Sequence, residues 1–220
     1  MVAKADDACF ADNPVTGQSE SVWKAVPWGG TGEIFFSVLQ GTDWLLSERI
    51  TSNTLPDENP RLAISGQGVR WVSWWRDDAP DAIYAASKPA SGGPWSTPAQ
   101  VSPASVNARY PDIAVFGGTA FIAYETIPSS GNRQIIVSKQ IEPLPWPSQT
   151  ISTASQANRL FVQIHQALGR LWVDWVDSGQ SLGWSEYVSN AWSAPQFEPY
   201  GGSGDLDAGR ARIRNALVEP

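Results

Sequence analysis

The stretch VRWVSWW, residues 69–75, governs how this chain packs. Read as a strand, it points Trp71, Ser73 and Trp75 to one side and Val72 and Trp74 to the other. Two later stretches behave alike: TAFIAYE at 119–125, where Phe121 and Ala123 oppose Ile122 and Tyr124, and RLWVDWV at 170–176, where Trp172 and Asp174 oppose Val173 and Trp175. A strand with one wet face alternates apolar and polar residues more cleanly. Large apolar groups on both faces suit a sheet sandwiched between two neighbouring sheets, as in the radially packed blades of a propeller.

The surrounding residues repeat with the same pitch. Trp44, Trp95, Trp146 and Trp192 are spaced 51, 51 and 46 residues apart, and Trp23, Trp71, Phe121 and Trp172 are spaced 48, 50 and 51. Ahead of the second strands stand PRLAIS (60–65), PDIAVF (111–116) and NRLFVQI (158–164); after them stand AIYAAS (82–87), QIIVSK (134–139) and LGWSEY (182–187). A recurring unit of this length signals a propeller or a solenoid. We therefore expect an all-β fold: a propeller of about four four-stranded blades over residues 1–200, with blades at approximately 10–54, 55–104, 105–154 and 155–200. The first blade is the most eroded, and its first strand must precede Ser21. GGSGD (201–205) reads as a flexible break, followed by a short C-terminal helix capped by Asp205 or Asp207, with Leu206, Ile213 and Leu217 on one face.

Composition narrows the function. Forty-two per cent of the residues are apolar and 12 are tryptophan, so a substantial core is available. A net charge of −7 argues against binding nucleic acid or an anionic membrane. No apolar run is long enough to span a bilayer, and residues 1–10 lack the apolar core of a signal peptide. The acidic, tryptophan-rich composition is that of a secreted or cell-surface protein. The single cysteine, Cys9, has no intramolecular partner for a disulfide.

The turn SKPASGGPWSTPAQVS, residues 87–102, resembles the Asp-box of sialidase-like propellers, also known as bacterial neuraminidase repeats, in which a Ser-x-Asp-x-Gly-x-x-Trp turn joins the third and fourth strands of a blade. Ser87, Gly93 and Trp95 match its serine, glycine and tryptophan; no aspartate stands in the turn and the spacing is looser. The resemblance covers roughly residues 55–200 and implies the propeller fold. Sialidases of that family use an arginine triad, a tyrosine nucleophile with a glutamate, and an aspartate acid/base. They also carry a Phe-Arg-Ile-Pro motif and normally have six blades. This chain lacks the motif and has about four blades, so the resemblance is carried over for fold and not for activity.

The loops that enter first strands and leave second strands open near a propeller's central channel. The entering loops hold Arg61, Arg109 with Tyr110, and Arg159, whose guanidiniums would clamp a carboxylate or sulfate if they converged. Arg61 and Arg159 align with each other in the strand pattern, and Arg109 falls about three residues earlier. The leaving loops hold Trp75, Arg76, Asp77, Asp78 and Asp81, then Glu125, then Asp177; such carboxylates serve acid/base chemistry or calcium when held together, and solvated turns otherwise. Trp28, Trp75 and Trp184 fall near strand ends, where an exposed ring would stack on a sugar. His165, the only histidine, has no nucleophile motif beside it. No phosphate loop, nucleophile elbow, paired zinc histidines or dinucleotide fingerprint occurs.

These features favour a non-catalytic module, without cofactor, that recognises a glycan or a protein surface. Two rivals are a structural subunit that self-associates or docks on a larger complex, and a sialidase-like glycosidase. The last requires carboxylates and arginines converging in one pocket.

Overall fold

The computed structural model describes residues 6–127, 132–141, 146–153, 161–177 and 181–199. They form four antiparallel sheets in chain order, each a meander from the centre outward. The first holds β1(Asp6–Asp12), β2(Ser19–Ala25), β3(Glu33–Gln40), β4(Asp43–Trp44) and β5(Glu48–Arg49), with both short strands on β3. The second holds β6(Asp57–Ile64), β7(Arg70–Arg76), β8(Ala82–Lys88) and β9(Ala99–Gln100). The third holds β10(Ala108–Phe116), β11(Thr119–Thr126), β12(Gln134–Lys139) and β13(Ser148–Thr153). The fourth holds β14(Gln163–Ala167), β15(Arg170–Asp177), β16(Ser181–Val188), β17(Ala191–Trp192) and β18(Gln196–Pro199). These are the four blades of a propeller. The first strand that the sequence leaves undefined is β1. The Gly-rich linker and the tail helix lie outside the described residues.

The two-faced second strands do what their composition requires. Val72 and Trp74 enter the core shared with the first blade, beside Val22, Ile34 and Phe36. Trp75 enters the core shared with the third blade, beside Ile113, Ile122 and Tyr124, and Trp71 packs against it. Leu171, Val173 and Trp175 close the core between the third and fourth blades. The innermost strands touch in sequence, β1 on β6, β6 on β10 and β10 on β14. Among the described residues no comparable contact joins β14 to β1.

Three of the turn tryptophans fasten their blade to the one before. Trp95 meets Phe36 edge-on at 5.3 Å between centroids, Trp146 meets Trp71 at 5.8 Å, and Trp192 meets Phe121 at 6.5 Å. Edge-to-face aromatic pairs contribute about 0.5–1.5 kcal/mol beyond the area they bury. Lys88 lies over Phe36 and Trp95, and Lys139 over Phe121 and Tyr187, sealing two of these seams.

Candidate functional site

Every blade carries the same backbone device at the entrance of its innermost strand. Asp7, Asn59, Tyr110 and Phe161 adopt left-handed φ values of 54°, 50°, 56° and 51°. They are 52, 51 and 51 residues apart. In the first three blades the strand pairing slips at this point, between Asp6 and Cys9, Glu58 and Arg61, and Arg109 and Asp112. A bulge re-aims the side chains that follow it. Aspartate and asparagine tolerate the left-handed region, whereas for tyrosine and phenylalanine it is strained. Each blade thus places one left-handed residue at the entrance of its innermost strand, and between the first two blades the Asn59 side-chain amide donates to Asp7 Oδ2 at 3.5 Å.

The residue two places after each bulge reaches the next blade. The Leu62 amide donates to Cys9 Sγ at 3.5 Å, and the Ile164 amide donates to Asp112 Oδ2 at 2.9 Å. Arg61 occupies the same position in the second blade; as a donor it cannot play that part, and its Nε stands 3.9 Å from Asp112 Oδ1. By this count Arg61 matches Asp112, and Arg159, which lies outside the described residues, falls two places before Phe161. Loss of surrounding water raises the proton affinity of Asp112, against the opposing influence of the Ile164 amide, Arg61 and His165. Burial likewise pushes the Cys9 thiol up, which makes it a poor nucleophile.

Deeper in the channel, a cavity of about 450 Å³ is lined by Ala63, Ala114, Ile164, His165 and Trp172 among others. His165 Nε2 lies 2.6 Å from Asp174 Oδ2, and its ring stacks on Trp172. His165 thus lines this cavity.

Most of the charged residues singled out in sequence are engaged in pairs. Arg76 donates to Asp57, Arg109 to Asp81 at 2.6 Å, and Arg133 to Glu125 at 2.9 Å. Glu125 is fully buried and also accepts the Phe161 amide at 3.0 Å, so it ties β11 to the approach of β14. Asp78 accepts the Tyr84 hydroxyl at 3.1 Å. The Asp81 hydrogen bond raises the affinity of Arg109 for its proton, so that side chain stays charged. Arg61, Arg76 and Arg109 thus each face a different carboxylate. Arg109 also covers Trp75 at 4.5 Å, and Tyr110 meets that ring edge-on. Trp184 is half-buried, and Trp28, on the turn between β2 and β3, is 91% exposed. Nothing is described for the Asp177 side chain. Among the described residues no group of three His, Cys, Asp or Glu side chains is placed to hold a metal ion.

The charge state of Asp112 has a measurable consequence. Because its folded affinity for a proton is raised, its contribution to stability is complete below the ordinary carboxylate range and is lost as pH rises through the shifted value. Asp112→Asn keeps an acceptor for Ile164 without the charge. It should therefore gain stability relative to the parent at pH 7 more than at pH 3, measured by urea melts at both pH values.

No protein-family model and no curated protein sequence matches the chain. Solved structures do. A Trypanosoma rangeli sialidase in complex with the inhibitor DANA superposes with a TM-score of 0.60 at 10% identity, over 88% of this chain and 38% of that one. An α-L-arabinofuranosidase from Clostridium thermocellum gives 0.60 at 10% identity, over 89% and 73%. A Penicillium chrysogenum α-L-arabinanase complexed with arabinobiose gives 0.61 at 12%, over 84% and 63%. The chain has the sialidase-like propeller fold, and it spans under two fifths of the sialidase.

Proposed function

We propose that this propeller is a non-catalytic module that binds a glycan at the channel mouth. The observation behind this reading is the recurrence itself: a carboxylate, an amide, a phenol and a phenyl group at the equivalent left-handed position of the four blades. The charged groups beside these positions are already paired, Arg76 with Asp57 and Arg133 with Glu125 within a blade and Arg109 with Asp81 between the second and third. Sugars offer hydroxyls for carboxylates and amides to bind in pairs, and apolar ring faces for aromatics to cover. Phe161 and Trp28 supply accessible rings at this end, being 42% and 91% exposed. The kinship of fold with propellers solved with a sialidase inhibitor and with arabinobiose supports a carbohydrate ligand.

The glycosidase reading draws on one observation, the raised proton affinity of Asp112. Against it, the equivalent place in the first blade is filled by Cys9, which makes the same contact to the next blade. Asp112 therefore acts as a blade-to-blade fastener.

The test is a glycan array followed by calorimetry on the best ligand. Asn59→Ala and Tyr110→Ala should each weaken binding about tenfold or more, the scale of one or two hydrogen bonds. An empty array, or binding indifferent to both changes, defeats the proposal. Turnover of aryl sialosides or arabino-oligosaccharides would defeat its non-catalytic part.

A further inference from the structure

At the seam of the second and third blades lies a hollow of about 630 Å³, of the size that takes a small-molecule ligand. Pro80, on the turn between β7 and β8, forms one side. The strap Ser105–Asn107 ahead of β10, with Thr126, Ile127 and Gln134 at the adjoining ends of β11 and β12, forms the other. Asn107 stands three residues before Tyr110, so the hollow lies at the entrance of β10. The strap is fixed by its backbone. The Ile127 amide donates to the Asn107 carbonyl at 2.7 Å, and the Ala108 amide to the Asp81 carbonyl at 2.9 Å. The second blade makes the same two bonds, from the Asp77 amide to the Pro56 carbonyl and from the Asp57 amide to the Gly32 carbonyl, each at 2.9 Å. Proline there does the backbone work of Asn107, so holding the strap needs no carboxamide. By strand register, Arg76 and Ala82 stand in the second blade where Thr126 and Gln134 stand in the third. The second blade therefore lacks the neutral hydrogen-bonding set of the third. Asn107 also carries a cost: its Oδ1 is shielded from water and accepts no hydrogen bond from the described residues, which lowers stability. Exchanging the oxygen and nitrogen of the carboxamide would strand a donor instead.

We infer, resting on the glycan reading above, that this hollow is a second subsite, which takes a neutral sugar unit and has Asn107 as its anchor. Three properties of the lining select that ligand. First, none of the described lining residues is ionisable, and Asp81, next to Pro80, is held by Arg109 at 2.6 Å. A charged ligand thus finds no counter-charge here. Second, a hydroxyl both donates and accepts, so it satisfies the Asn107 carboxamide in either orientation once that side chain turns toward the hollow. Rotamer changes of this kind commonly accompany binding. The Gln134 carboxamide, whose backbone amide is held by Thr126 Oγ1 at 3.2 Å, supplies a further donor and acceptor. Third, Pro80, Val106 and Ile127 offer apolar surface to the C–H face of a sugar ring. Because the strap is already held on both sides, binding has little backbone to order.

Titration of the full chain with two neutral disaccharides, arabinobiose and lactose, tests this by NMR and calorimetry. The side-chain amide signals of Asn107 and Gln134 should shift with at least one of them. Asn107→Leu should weaken that binding about tenfold or more, the scale of one or two hydrogen bonds. Its Tm should stay level or rise, because the change removes an unpaired acceptor; a residue serving the fold alone would lower Tm and leave affinity unchanged. Ser105→Trp, at an exposed position, should fill the hollow and abolish binding without unfolding the chain. Amide signals unmoved by either sugar up to about 50 mM mean that water fills the hollow, and overturn the inference. A bound disaccharide indifferent to both substitutions overturns it equally; if its affinity still falls with Tyr110→Ala, the channel-mouth site stands without this subsite. A disaccharide lost with Asn107→Leu and Ser105→Trp but indifferent to Asn59→Ala and Tyr110→Ala upholds the hollow and defeats the channel-mouth reading.

Discussion

Asp57→Ala should destabilise the protein by about 3–5 kcal/mol, the cost of leaving buried charged and polar partners without their anion. Asp57 is fully buried at the start of β6, two residues before the left-handed Asn59. Its Oδ1 accepts from Trp74 Nε1 at 2.9 Å and Arg76 Nε at 2.8 Å, and its Oδ2 accepts from Asn53 Nδ2 at 2.6 Å. One carboxylate thereby joins the end of β7, the loop ahead of β6 and a core tryptophan. Alanine would strand three donors at once, Arg76 among them. Asp57→Asn keeps one acceptor but turns an N–H toward the same donors, so it should cost less than alanine and more than a surface substitution. Urea melts of the two variants measure this directly, and a loss below about 1 kcal/mol for alanine would show that water replaces the carboxylate and that the network is not structural. Because the carboxylate sets the approach to the bulge, Asp57→Ala should also abolish ligand binding at the mouth.

What could be read from sequence follows from where each signal resides. The blade count rests on tryptophans that recur because every seam needs the same wedge, so Trp44, Trp95, Trp146 and Trp192 are visible as a period. The left-handed position at the strand entrances is equally periodic, but its common property is a backbone conformation shared by Asp7, Asn59, Tyr110 and Phe161, four residues of unlike chemistry. A faint trace is present: Asn59 and Tyr110 both precede proline, which biases them away from the right-handed helical region. The sequence pattern places Arg61 and Tyr110 close to the start of a first strand, and they fall within β6 and β10. The pattern does not single out Asp112 or Asn59, since a one-letter alignment slides freely across a bulge. The pairings of Arg76, Arg109 and Glu125 join segments 8 to 36 residues apart. Such partners are set by how adjacent loops fold over one another, which strand periodicity does not report.

Gly183→Ala should cost about 3 kcal/mol or more, at or above the upper end of ordinary overpacking. The reason is space and not backbone freedom, since Gly183 does not occupy the left-handed region as the turn glycines do. It lies directly across from Trp175 in the β15–β16 register, and the indole rests flat on its Cα. A methyl group added there would fall 2.4 Å from Trp175 Cε2 and 2.5 Å from Nε1. The ring has nowhere to go, because it is wholly buried in the core against the third blade and meets Phe197 edge-on at 6.1 Å. For a chain of this size about 3 kcal/mol corresponds to a fall in Tm of roughly 6–12 °C, readily seen by calorimetry. Trp175→Leu alone opens a cavity and should cost about 2–4 kcal/mol. Combined with Gly183→Ala it makes room for the methyl group, so the double variant should lose at least about 1 kcal/mol less than the sum of the two single losses, as expected of residues in contact. Strict additivity, or a Gly183→Ala protein that melts with the parent, would mean that β16 recedes from β15 to admit the methyl group. The fourth blade would then be held by its edges and not by Trp175.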